Sequence, residues 1–165
     1  MSLTKRDTVI GGNGIIVQID ECKFGKRKYN QGHVVEGIWI LGGVELTNEK
    51  KVFLIEVPDR SADTLTTLIL QHVLPGSIIY TDEWKGYCRL HNHFEHYTVN
   101  HSKYYVDPDD GTTTNTIEGT WNGVKVNISS AHKTVKIRPH LNMFIWRRIN
   151  KKNLWDSFLK SLEYH

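Results

Sequence analysis

The apolar spacing of the chain changes at Pro58-Asp59-Arg60-Ser61, and that change limits the folds open to it. Before this tetrapeptide, segments 15–24, 34–46 and 51–57 are rich in β-branched and aromatic residues, the mark of strands. Gly25 through Gly32 and Asn48-Glu49-Lys50 supply the turns between them. After it, Leu65, Leu68, Ile69 and His72 recur at helical spacing, with Ser61 as N-cap and Pro75-Gly76 as the stop. Three strands joined by short turns make an antiparallel meander, and a helix after them calls for a crossover before the next strand joins.

That next strand is the apolar stretch 77–81, short enough to be buried within a mixed sheet. Further along, 84–91 reads as a short helix, 94–99 as a fifth strand, and 115–125 and 139–150 as helices. The fold class is therefore α/β: a ribonuclease-H-like mixed sheet, with an antiparallel three-strand meander followed by parallel strands, flanked by helices. Such an order sets the ends of the first and fourth strands side by side at the sheet centre. Asp20 and Asp82 stand at those ends.

The 165 residues suit one domain. Residues 1–13 read as a tether closed by the breaker Gly11-Gly12-Asn13-Gly14, residues 14–150 as the folded domain, and 151–165 as a C-terminal helix or tail. With 39% hydrophobic and 24% charged residues, the composition excludes a disordered chain. No apolar run approaches the roughly 18 residues of a membrane span, and the N-terminus lacks a secretory signal, so no membrane partner is expected. Cys22 and Cys88 form no ligand pair and point to a reducing compartment.

Three acids carry the candidate chemistry. On a strand ending in Asp20, alternation puts Ile16, Gln18 and Asp20 on one face and Val17 and Ile19 on the other, leaving the neighbouring Glu21 to solvent. Asp82 reads as a strand-end ligand, with an N-cap for the helix after it as the alternative. Glu118 lies three residues after Asn115, a capping-box spacing, but helical phase adds something. Ile117, Trp121 and Val124 form an apolar stripe for the core, and Glu118, Asn122 and Lys125 repeat it one residue along. A carboxylate for metal and an ammonium for phosphate thus share a helix face. Converging carboxylates are what hard divalent cations need.

The net charge of +3 is mild but clustered in 23–29, with Lys23, Lys26, Arg27 and Lys28, and in 147–152. Basic side chains close to an acidic centre suit a phosphodiester substrate, and each cluster is equally readable as a solvated surface. His91, His93, His96 and His101 lack the paired spacing of a structural zinc site. They read as surface or partly buried residues, with His101 in Asn100-His101-Ser102 as a candidate groove residue.

Taken together, Ile19-Asp20-Glu21-Cys22-Lys23, Gly37-Ile38-Trp39-Ile40-Leu41-Gly42-Gly43, Val57-Pro58-Asp59-Arg60-Ser61, Tyr80-Thr81-Asp82-Glu83-Trp84, Val106-Asp107-Pro108 and Thr114-Asn115-Thr116-Ile117-Glu118-Gly119 carry a likeness in their order. The chain resembles, over about residues 10–150, the DDE transposase catalytic domain of the Merlin superfamily and its bacterial, ISXO2-like insertion-sequence relatives. The resemblance implies a metal-dependent DNA transposase. It would cleave and transfer strands at an Asp-Asp-Glu site of Asp20, Asp82 and Glu118, holding two Mg²⁺ (or Mn²⁺) ions. It implies Lys125 as a phosphate contact; Lys23, Lys26, Arg27, Lys28, Asn122, Asn115 and His101, read from the residues themselves, complete the candidate nucleic-acid-binding set. Transposon ends and target DNA are the expected partners, a homo-oligomer is open, and the compartment is the nucleus in a eukaryote or the cytoplasm in a bacterium. Relatives carry a DNA-reading region ahead of this domain, and 126–130 departs from their basic continuation. The alternative is therefore a transposase-derived, non-catalytic DNA-binding or interaction protein.

Overall fold

Alternation along one central strand organises the whole fold. In Ile16–Phe24 (β2), Val17 and Ile19 are fully buried on one face, while Gln18 and Asp20 turn to the other. A computed structural model describes residues 3–25, 37–99, 113–128 and 137–163. β2 pairs antiparallel with Ile38–Glu45 (β3), which pairs antiparallel with Val52–Val57 (β4). On its other edge β2 pairs parallel with Ile78–Asp82 (β6), and β6 with Glu95–Val99 (β7), giving the order β4-β3-β2-β6-β7. The meander followed by parallel strands is thus the observed mixed sheet.

Each sheet face has its own core. Val17, Ile19, Leu41, Phe53 and Ile79 pack with Leu65 and Ile69 of the helix Ala62–His72 (α1). Ser61 caps α1, its hydroxyl accepting the Thr64 N–H at 3.2 Å, as its sequence position implies. On the opposite face Ile40, Val44 and Leu54 pack with Ile117, Trp121 and Val124 of Asn115–Asn127 (α2). Ile137, Leu141 and Ile145 of Ile137–Ile149 (α3) complete that core. A last helix, Leu154–Glu163 (α4), leaves Leu154, Trp155, Phe158 and Leu159 exposed.

Several elements differ from expectation. Residues 10–11 are not part of a loose tether: Ile10–Gly11 (β1) pairs parallel with Val73–Leu74 (β5), and Ile10 is buried in the core. A bridge of two residues has no period to read. Residues 84–91 form two 3₁₀ turns, Lys85–Tyr87 and Leu90–Asn92, rather than one helix. α2 begins at Asn115 itself with Thr114 in the N-cap position, so Asn115 is not the cap. α3 starts two residues ahead of Pro139, because the first turn has no intrahelical acceptor for a proline N–H to miss.

Candidate active site

The parallel register places two acids together. β2 and β6 pair Ile16 with Ile78, Val17 with Ile79 and Gln18 with Tyr80; Asp20 and Asp82 each lie two residues past the last pair, near enough for their charges to interact. Asp20 is partly buried, and its pKa is raised to about 6. Burial is the main cause, with the charges of Asp82 and Glu21 adding to it, while bonds from the Glu21 backbone and Trp121 act the other way. The Asp82 carboxylate also accepts the Trp84 N–H at 3.0 Å, which fixes the turn after β6.

α2 is fastened over this pair by two side chains. The Gln18 side chain, fully buried, accepts the N–H groups of Thr116 and Ile117 at 2.9 and 3.0 Å, satisfying two donors of the first helical turn. Trp121 crosses β3 where Gly42 stands opposite Asp20, and its indole N–H donates to Asp20 Oδ2 at 3.0 Å. Only glycine fits at 42, since a Cβ there would lie 2.6 Å from the indole ring. Trp121 is thus both core anchor and Asp20 partner.

Glu118 is exposed in the first turn of α2, and Thr114 Oγ1 donates to its Oε1 at 3.4 Å. Among the described residues, no three His, Cys, Asp or Glu side chains group closely enough to hold a metal. Asp20 and Asp82 are near enough for the charge of one to raise the pKa of the other, and Glu118 lies on α2, the helix whose Trp121 bonds Asp20. Asn115, Asn122 and Lys125 are likewise exposed on α2. Lys23 is partly buried, its ammonium over the Trp39 ring at 5.6 Å. Lys26, Arg27, Lys28 and His101 lie outside the described residues. His91 and His93 are exposed, and His96 shares a bond with Thr81 at 2.9 Å.

Residues 7–148 match the family model of the ISXO2-like transposase domain. The chain belongs to that family. It is also similar to a transposase-like protein of Haemophilus influenzae, 29% identical over 107 residues that span 62% of this chain and 84% of the relative. The function of an ISXO2-like transposase domain is related to transposition, with DNA as the partner its family implies. No helix among the described residues is long and apolar enough to cross a membrane.

In this ISXO2-like transposase domain a second acid lies where solvent was expected. The Glu21 side chain is 1% exposed and points to the α1 face of the sheet. Its carboxylate accepts Tyr87 Oη at 2.5 Å and Arg60 Nε at 3.2 Å. The Arg60 guanidinium is itself sandwiched between Trp39 and Trp84, at 4.1 and 4.2 Å from the ring centroids. Burial raises the Glu21 pKa, and the Tyr87 and Arg60 bonds partly offset that. Arg60 belongs to the Pro58–Ser61 breaker and is legible in the sequence only as a turn residue; its stacking depends on three separate segments.

Proposed function

We propose that this domain cleaves and rejoins DNA strands by metal-dependent phosphoryl transfer at Asp20, Asp82 and Glu118, on a ribonuclease-H-like sheet. The observation that carries the reading is the pair of carboxylates on adjacent parallel strands, Asp20 midway along β2 just past its last pair with β6 and Asp82 at the end of β6, with Asp20 protonated more readily than usual through burial. Two oxygen-bearing acids whose charges oppose each other fit Mg²⁺ or Mn²⁺, because a divalent cation offsets both desolvation and repulsion. Glu118 fits as a third ligand by its place in the first turn of α2, once its side chain turns from Thr114. When bound, two such ions supply an activated water or DNA 3′-hydroxyl and stabilise the leaving oxygen.

The chain's own residues orient these groups. Trp121 fixes one oxygen of Asp20, and Gln18 holds the start of α2 against the sheet. Lys125, two turns from Glu118, offsets phosphate charge. Transposon ends and target DNA are the substrates of this reading.

The test is cleavage of labelled DNA by the full chain with Mn²⁺. Wild type should nick, and Asp82→Asn and Glu118→Gln should each lose roughly 100-fold or more in rate with unchanged circular dichroism. Full activity in either variant removes that residue from the mechanism. A second reading is favoured by one observation, that among the described residues no three His, Cys, Asp or Glu side chains group closely enough to hold a metal. In that reading the chain is a transposase-derived DNA-binding protein without catalysis, and salt-sensitive binding with no Mn²⁺-dependent nicking by wild type would select it.

A further inference from the structure

We propose that the trough between α2 and α3 seats a nucleic-acid phosphodiester backbone, with Arg148 as its central anion-binding side chain. The inference builds on DNA as substrate but uses none of the three acids. The trough encloses about 490 Å³, with Thr116, Gly119 and Thr120 of α2 on one side, Phe144 and Arg148 of α3 on the other, and Lys50 at its rim. At Gly119 a Cβ would meet nothing within 4 Å, so bare helix backbone faces open space there. An incoming strand can approach such a wall closely.

Arg148 is partly buried, over the Phe144 ring at 5.8 Å, and donates to Thr120 Oγ1 at 3.3 Å. Among the described residues no carboxylate lies within ion-pair distance of it. Burial lowers its proton affinity, the sign of a charge whose hydration has not been replaced. A partly desolvated cation without a counterion carries a cost, and an anion in the trough would reduce it.

The same guanidinium borders a second cavity of about 330 Å³, lined also by Lys51, Lys151 and Lys152. Among the described residues Glu49 is the one acid there, and it pairs with Lys51 at 3.2 Å, which leaves Lys151 and Lys152 uncompensated. Cations therefore continue on both sides of Arg148, from Lys50 to Lys152. A single small anion needs one such group; a run of them fits the repeating charge of a polynucleotide.

The test is binding of the full chain to a labelled duplex of about 30 base pairs in EDTA, across a salt series, so that cleavage plays no part. Arg148→Gln should bind roughly 10-fold more weakly, and the salt slope should fall by about 1, or by about 2 with Lys50→Gln added. If Arg148→Gln does not fold, the exposed pair Lys50→Gln and Lys152→Gln carries the same expectation. Unchanged affinity and slope in folded variants overturns the proposal. Inorganic phosphate that raises the melting temperature of wild type alone, with DNA affinity indifferent to residue 148, reassigns the trough to a free anion and also overturns it. A chain that binds through Arg148 and never nicks with Mn²⁺ sinks the catalytic reading and leaves the trough standing, whereas nicking with binding indifferent to Arg148 does the reverse.

Discussion

The Trp121 indole N–H donates to Asp20 Oδ2 at 3.0 Å, joining residues 101 apart in the chain and tying α2 to the strand acid beneath it. Such a bond favours the charged carboxylate, so it opposes the burial that raises the Asp20 pKa. Trp121→Phe keeps most of the apolar contact and removes the donor. The expected loss is about 1–2 kcal/mol of stability and a further rise of the Asp20 pKa. NMR titration of the Asp20 carboxyl checks this, and an unmoved titration would show that the bond contributes nothing.

Gly42 stands opposite Asp20 in the β2–β3 pairing, under the Trp121 ring. Gly42→Ala would place a methyl 2.6 Å from the indole, so the ring must move away from Asp20. The expected cost is about 1–3 kcal/mol in urea unfolding, with weakened Mn²⁺-dependent nicking. Wild-type behaviour in both assays would mean that the indole has room to yield.

Asp20 also predicts a pH dependence. Its folded pKa of about 6 exceeds the ordinary 3.8, so the folded state binds the proton more tightly than the unfolded chain. The stabilisation from that proton is complete below pH 3.8 and lost as pH rises through about 6. Asp20→Asn removes the charge, so in metal-free buffer it should be more stable than wild type at pH 7, by on the order of 1–3 kcal/mol, and no different near pH 3.5. Urea unfolding at the two pH values decides it; a constant difference would contradict the burial argument.

Arg60 and Glu21 should behave as a unit. Arg60→Ala leaves a buried carboxylate with Tyr87 as its one remaining partner in that cluster and uncovers Trp39 and Trp84. A loss of about 2–4 kcal/mol is expected, and adding Glu21→Gln should restore part of it. Additive losses in the double-mutant cycle would dissolve the pair, and Trp84 fluorescence should redden as its cover is removed.

Gln18 supplies the α2 cap from a strand. Gln18→Leu keeps the volume but strands the N–H groups of Thr116 and Ile117, at a cost of about 2–3 kcal/mol. Hydrogen exchange at those two amides should speed up selectively. Equal protection in the variant would mean that another acceptor replaces the side chain.

Much of this arrangement is legible in the sequence. The meander, α1 with its Ser61 cap, the buried stripe Ile117-Trp121-Val124 and the meeting of Asp20 with Asp82 all come from local period and strand order. The β1–β5 bridge is not, since Ile10–Gly11 is too short to show alternation. Glu21 misleads for a related reason: alternation assigns it the face opposite Asp20 but does not say what covers that face. Tyr87 and Arg60 cover it, and both come from segments that read as turn or irregular helix.

Periodicity and capping chemistry along the chain determined which segments became strands and helices, because those preferences act between neighbours a few residues apart. Which polar groups became partners was decided only on folding. The bonds of Trp121 to Asp20 and Arg60 to Glu21, and the place of Arg148 beside an open trough, depend on register and layer packing between distant segments. Side-chain hydrogen bonds and desolvation are set by distances of an ångström or less, and no local pattern of residues specifies distances between elements that finely.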